Sequence, residues 1–457
     1  MLSTLILFTQ LLLAIPEIIY MYQLNFDNNP IEVQMFMSFV IILILFKVFM
    51  KYIKNIDLDL TPIHLIILIT VYTIFMILSM MLVKNGSSNL YLNIMSRGYG
   101  SMTLNSSVEL FGDLRHLTDA AQCDKSISVG TIVCDSWSRP LNQNPDVIQI
   151  FKFLNLTKSF PLGVIITSVF FFSLILFIWF RKVYGFPTLL FMCSPVLLLA
   201  LDRGNEIITS ILLLIGFILY YNKSLITQFI SATAFLVSAV FKFWPTIFLI
   251  ILAVLSLQRR VWGLILAGLL SFVYWITKQN TLFQMLQVTD SPSLFVISFG
   301  FSPIFQVEGN SVLLFSILSY SIFFMAYFLL QSGVFSTKDS FLEILSNDDR
   351  KLYFALTLTF VAVWLFGNSY IYRMIILLPI VLTLSQLRYR NIRPVQVMLI
   401  ICLITVLSSK LPINYSLTFA LCIILLLQCF QFIYNNYIKI IKSRLRFFQI
   451  RTQPKIF

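Results

Sequence analysis

Residues 161–180 read PLGVIITSVFFFSLILFIWF and are followed at once by Arg181-Lys182. An uncharged run of that length matches the ~20 residues an α-helix needs to cross the hydrocarbon core of a bilayer. A helix satisfies its backbone hydrogen bonds internally, as lipid requires, and a basic pair at its end marks the cytoplasmic boundary. The run therefore reads as a membrane-crossing helix that enters the cytoplasm at residue 181.

Working outward in both directions, the pattern recurs. Spans are expected near 2–20, 33–50, 62–83, 161–180, 187–201, 206–221, 225–241, 246–257, 261–277, 312–331, 351–367, 371–386, 395–410 and 414–436. With 59% hydrophobic and 11% charged residues, the chain predicts an all-α fold, a polytopic transmembrane helical bundle of about 12–14 membrane segments. The first run, Met1 to Ile19, lacks a basic leading region and ends in Pro16-Glu17 instead of a small-residue cleavage site, so it is expected to stay as a span. No linker rich in Pro, Gly or Ser and no repeat interrupts the chain. Residues 1–457 are read as one membrane domain, with residues 84–160 as its main loop.

Lys51 and Lys54, Arg181 and Lys182, Lys223, Arg259 and Arg260, Arg388, Arg390 and Arg393, and the basic tail from Lys439 to Lys455 follow alternate spans. Basic loops face the cytoplasm, which puts both termini there. The net charge of +13 is then accounted for without a nucleic-acid partner. Alternation gathers residues 84–160, Asp202 to Glu206, Lys242, Lys278 to Asn310 and Gly367 to Arg373 on the opposite side.

Cys193, Cys402, Cys422 and Cys429 fall in apolar runs, as small packing residues do. Cys123 and Cys134 share the outward loop, where disulfides persist. A bond between them would contribute roughly 3 kcal/mol in the chain-entropy model; two free thiols are the alternative. Within the loop, the spacing of Val108, Leu110, Phe111, Leu114, Leu117, Ala120 and Ala121 predicts a helix lying along the membrane surface over 108–122, and residues 148–156 predict a second. Between Lys223 and Arg259 the chain must go out and come back. The turn is placed at Phe241-Lys242-Phe243-Trp244-Pro245, with Lys242 inside a protein cavity and Pro245 breaking the helix.

Few charged residues lie on the outward side, and those few are where chemistry is possible. Asp113, at headgroup level, has the surroundings of a general base for a substrate hydroxyl; a solvated acid paired with Arg115 or His116 is the alternative. In Asp202-Arg203-Gly204-Asn205-Glu206, Gly204 would let the backbone approach an anion beside Arg203 and a helix N-terminus. The plainer reading is a tight turn with Asp202 and Glu206 as caps or ion-pair partners. Lys242 and Arg373 add two outward cations at span edges, which together suggest a pocket for a lipid-borne phosphate, against simple snorkelling anchors. Only His64 and His116 are present, without a Cys/His cluster of ligand spacing or a Gly-rich phosphate loop, and Asp57-Leu58-Asp59 falls on the cytoplasmic side. No metal and no cofactor are expected.

Asp113-Leu114 with Asp119-Ala120-Ala121, then Arg203-Gly204-Asn205 after an apolar span, then Lys242-Phe243-Trp244-Pro245 closing the next, resembles the polytopic GT-C glycosyltransferases. Within them it is most similar to glycosyltransferase family 87, the polyprenol-phosphate-mannose-dependent mannosyltransferases, and Tyr372-Arg373 resembles a later element of that family. Each motif is short, and the specificity lies in their order. The resemblance implies a GT-C-like bundle that moves a sugar, a mannose-like hexose, from a polyprenyl-phosphate-linked donor to a glycan or glycolipid acceptor. The step would be inverting and metal-independent, at the outer face of a bacterial cell membrane. It implies Asp113 as the base and Arg203, Lys242 and Arg373 around the donor phosphate, with Arg115, His116, Asn205, Arg139 and Tyr372 in support.

The chain departs from the pattern at Asn142-Gln143-Asn144-Pro145, where the family has an aromatic residue followed by proline. Asp119, Asp135 and Asp146 share the loop and compete with Asp113 for the role of base. Three other classes fit a chain of many spans: a flippase or transporter of lipid-linked sugars, an O-antigen-type polymerase or ligase, and a structural scaffold. A transporter would place its polar groups near the midplane and show internal symmetry. Here they gather at one face.

Overall fold

The computed structural model describes residues 31–55, 62–84, 111–123, 129–130, 143–181, 186–192, 194–222, 224–256, 262–288, 298–299, 311–332, 345–366, 369–387, 393–407 and 414–452. The described chain is all-α apart from one pair of two-residue strands. In order come α1 (Ile31–Asn55), α2 (Pro62–Lys84), α3 (Gly112–Gln122), α4 (Pro145–Phe153), α5 (Ser159–Arg181) and α6 (Phe186–Met192). Next are α7 (Pro195–Arg203), α8 (Asn205–Tyr220), α9 (Leu225–Phe241), α10 (Trp244–Ser256), α11 (Trp262–Thr277) and α12 (Gln279–Val288). Strand β1 (Ser298–Phe299), α13 (Ser311–Ser332), α14 (Asn347–Phe366), β2 (Ser369–Tyr370), a 3-10 turn (Ile371–Ile376), α15 (Leu377–Leu387), α16 (Arg393–Leu407) and α17 (Asn414–Thr452) complete it.

Local sequence sets the helix starts. Ser194 accepts from the Leu197 amide at 3.3 Å, with Pro195 in the first position of α7, where its missing N–H costs nothing. Asn144 accepts from the Asp146 amide at 3.2 Å, with Pro145 at the head of α4. Ser346 accepts from the Asp349 amide at 3.1 Å and returns its hydroxyl proton to the Asp349 carboxylate at 2.6 Å, a reciprocal cap for α14.

One apolar core threads the bundle, including Phe46, Tyr72, Phe170, Phe217, Phe248, Tyr353, Leu399 and Leu421. Polar side chains inside it tie helix to helix. Tyr72 donates to the Met192 carbonyl at 3.1 Å, Ser231 to that of Gly216 at 2.8 Å, Trp275 to that of Ala239 at 2.9 Å, and Tyr353 to Gln428 Oε1 at 3.0 Å. Such bonds satisfy buried polar groups and fix one helix against the next.

The outer faces are apolar too: Phe172, Trp179, Leu225, Phe229, Trp262, Phe315 and Leu330 are exposed. Ser159–Arg181 and Asn414–Tyr434 are long and apolar enough to cross a membrane, and shorter apolar helices such as Glu206–Tyr220 and Leu225–Phe241 accompany them.

Several sequence expectations change in detail. The run at 187–201 is two short helices, α6 and α7, with Ser194-Pro195 starting the second. The run at 371–386 begins as a 3-10 turn. The two loop helices are present, at 112–122 and 145–153. The turn after α9 falls at Lys242-Phe243; Pro245 sits in the first turn of α10, starting that helix instead of breaking the one before. The run at 2–20 lies outside the described residues.

Candidate functional site

The site is built on the break between α7 and α8. Gly204 there has φ +80°, a conformation that a side chain resists, and a Cβ on it would lie 3.0 Å from Leu114 Cβ. Glycine thus lets α3 rest directly on the break. Phe111, at the head of α3 with φ 65°, is fully buried beside Gly163 of α5 and fixes the other side of the same helix. The space beside Gly204 is filled by Leu114 and Phe111, so this glycine serves the packing of α3 on the break.

Seating α3 in this way sets Asp113 above Arg203. Asp113 Oδ1 lies 3.5 Å from Arg203 Nη1, and both side chains keep partial access to solvent, 16% and 31%. Asp113 stands in the first turn of α3, where the helix dipole favours a carboxylate. Arg115 pairs with Asp119 at 3.4 Å one turn along α3, and His116 is buried.

A second pair lies on the far side of the break. Glu206, in the first turn of α8, is fully buried, and its Oε1 is 3.5 Å from Lys242 Nζ. Trp244 Nε1 donates to Glu206 Oε2 at 3.3 Å, and Lys242 Nζ donates to Gln143 Oε1 at 3.4 Å. Lys242 adopts extended backbone between α9 and α10, which turns its ammonium inward, 15% exposed. The expected cavity position of Lys242 is met by a carboxylate that the sequence reading weighed only as a cap or ion-pair partner.

A third polar group adjoins it through Gln143-Asn144. Asn144 Nδ2 donates to the Val240 carbonyl at 2.8 Å and to Tyr274 Oη at 2.7 Å; Tyr274 in turn donates to Asp146 Oδ2 at 2.7 Å. Lys278 Nζ closes the chain on Asp146 Oδ1 at 3.1 Å. The Gln143-Asn144-Pro145 segment latches α4 to α9 and α11. Asp146 is thereby committed to Tyr274 and Lys278.

The 3-10 turn that carries Tyr372 and Arg373 packs on α7 and α8. It is anchored by β2, whose Tyr370 pairs with Ser298 and whose Ser369 pairs with Phe299. The side chains of Asn205, Tyr372 and Arg373, and the whole of Cys134, Asp135 and Arg139, lie outside the described residues. Cys123, which ends α3, is disulfide-bonded.

At the opposite end of α8 the polar contacts are of another kind. Asp349 accepts from Arg181 and from Tyr221 Oη, the latter at 2.6 Å, while the Arg181 guanidinium lies 3.4 Å from the centre of the Tyr221 ring. This clasp joins the ends of α5 and α8 to the start of α14.

Sequence reasoning missed Glu206, Trp244 and Tyr274 as site residues. The available signals were an acidic residue three places beyond Arg203 and an Asn-Pro-Asp cap before a short helix. Compared with family models, with curated proteins and with solved structures, the chain finds no match.

Proposed function

We propose that the chain is a polytopic membrane glycosyltransferase that moves a hexose, mannose-like by the resemblance, from a polyprenyl-phosphate carrier to a glycan or glycolipid acceptor at its extracytoplasmic face. The observation that carries this reading is the convergence of Asp113, Arg203 and Lys242 on one helix break, although they come from three separate stretches of sequence. Apolar outer faces and the segregation of polar groups to two ends of α8 support a membrane setting. With α8 at 16 residues, those ends are about 24 Å apart. The Arg181–Asp349–Tyr221 clasp is then cytoplasmic, and the Asp113 site extracytoplasmic.

In this reading the donor phosphate draws Arg203 away from Asp113, leaving the carboxylate facing the acceptor. The acceptor hydroxyl attacks the anomeric carbon from the side opposite the phosphate and gives its proton to Asp113. The carbon–oxygen bond to phosphate breaks with its electron pair, and polyprenyl phosphate leaves beside Arg203, Lys242 and Arg373. The sugar is inverted, and the cations stabilise charge that develops on the departing oxygen.

Asp113→Asn keeps the shape and loses the base. Turnover of a polyprenyl-phosphate sugar by the purified variant is expected to fall by about 10²–10⁴-fold, with the protein still folded by thermal melting. Undiminished transfer would remove Asp113 from the mechanism. Movement of the intact donor across vesicles without transfer would favour the flippase reading.

A further inference from the structure

The most unusual group near the site is one that the proposed reaction does not use. Glu206 is a fully buried carboxylate placed against Lys242, a cation the reaction needs. A carboxylate there opposes the binding of any phosphate: it cancels much of the field of Lys242 and repels the ligand in surroundings of low dielectric. Removing water from a charged pair is itself costly, so packing alone is a poor reason for its presence.

Resting on the transferase reading, we propose that Glu206 is an affinity-setting counter-ion that keeps the phosphate site weak, so that the spent polyprenyl phosphate leaves. The geometry suits this task. Trp244 fixes one oxygen of Glu206 by its indole N–H at 3.3 Å, and the other faces Lys242 at 3.5 Å. Lys242 is also bound to Gln143, so its ammonium is held between two acceptors and reaches a ligand only against their pull. Arg203 faces the more open Asp113, and Lys242 faces the sealed Glu206, so the two cations at the break are restrained to different degrees.

A two-residue cycle tests the idea. Glutamine at 206 keeps an acceptor for Trp244 and removes the charge. Binding of farnesyl phosphate to detergent-purified full-length protein is measured by calorimetry, with farnesol and inorganic phosphate alongside to separate the contributions of tail and phosphate. Glu206→Gln is expected to bind farnesyl phosphate about tenfold more tightly than the natural protein, a change of about 1.4 kcal/mol. Lys242→Gln is expected to bind about tenfold more weakly, and the double variant Glu206→Gln/Lys242→Gln within about twofold of the natural protein, because the two removed charges act on the phosphate with opposite sign from nearly the same place.

In turnover, Glu206→Gln should show stronger inhibition by product, a change that a merely structural carboxylate would not produce. Unchanged or weaker binding in Glu206→Gln overturns the proposal. If either single variant fails to accumulate, the double variant still decides: a tenfold loss there means Lys242 acts as an unopposed cation and Glu206 sets nothing. A natural protein that binds inorganic phosphate and farnesyl phosphate equally keeps the counter-ion but loses the lipid carrier. One that binds neither overturns both readings.

Discussion

At the scale of single residues, the site depends on a glycine. Gly204 combines a φ of +80° with close contact to Leu114 of α3, two demands that a side chain at this position would resist. Gly204→Ala is expected to lower stability by about 1–3 kcal/mol through backbone strain and by displacing Leu114, read as a fall in melting temperature. Because Asp113 adjoins Leu114, the same variant should also raise the apparent KM for the donor. This residue shows what was legible and what was not. That Gly204 is special follows from Arg-Gly-Asn after an apolar run, but the neighbour that fills its space comes from ninety residues earlier. No local pattern names that neighbour.

At the scale of elements, the short connections carry the specificity. The Gln143-Asn144-Pro145-Asp146 stretch begins α4 and is bonded to α9 and α11 as well. Asn144→Ala removes a helix cap and two longer-range hydrogen bonds. Loss of the cap alone costs about 1 kcal/mol, and the melting temperature should fall by more than that implies, with Lys242 less well held through Gln143. The clasp at Asp349 makes the complementary case. Asp349→Asn leaves the Arg181 guanidinium against a neutral partner and should destabilise the bundle by about 1–3 kcal/mol. Donor affinity should be unchanged, because the clasp is one length of α8 from the site. A shift in farnesyl phosphate binding in that variant would mean the two ends are coupled. Helices with long uniform apolar runs, such as α5 and α9, were plain in the sequence because composition alone decides them. The run at 187–201 was misread as one helix because Ser194-Pro195 sits inside an unbroken apolar stretch, and only the cap reveals the restart.

At the scale of the whole molecule, the two polar ends of α8 should lie in different compartments. Cysteine placed at the exposed Asn222, and separately at Lys278, should react with an impermeant maleimide from opposite sides of sealed vesicles. Cys402, Cys422 and Cys429 are buried and Cys123 is disulfide-bonded, which limits background from these positions. Labelling of both positions from one side would end the proposed topology. The all-α character was legible because long apolar runs of helical length dominate the chain; the pairing of acids with bases across the bundle was not, since charge partners are chosen by packing.

The helices around the site are short. At 17 and 16 residues, α9 and α11, whose outer sides carry the exposed Leu225, Phe229, Trp262 and Leu266, reach about 26 and 24 Å, less than the roughly 30 Å of hydrocarbon in an ordinary bilayer. In the proposed membrane setting, lipid against this flank would have to thin, and a carrier whose tail stays among its neighbours would arrive with its phosphate already lowered toward Arg203 and Lys242, the membrane itself doing part of the delivery.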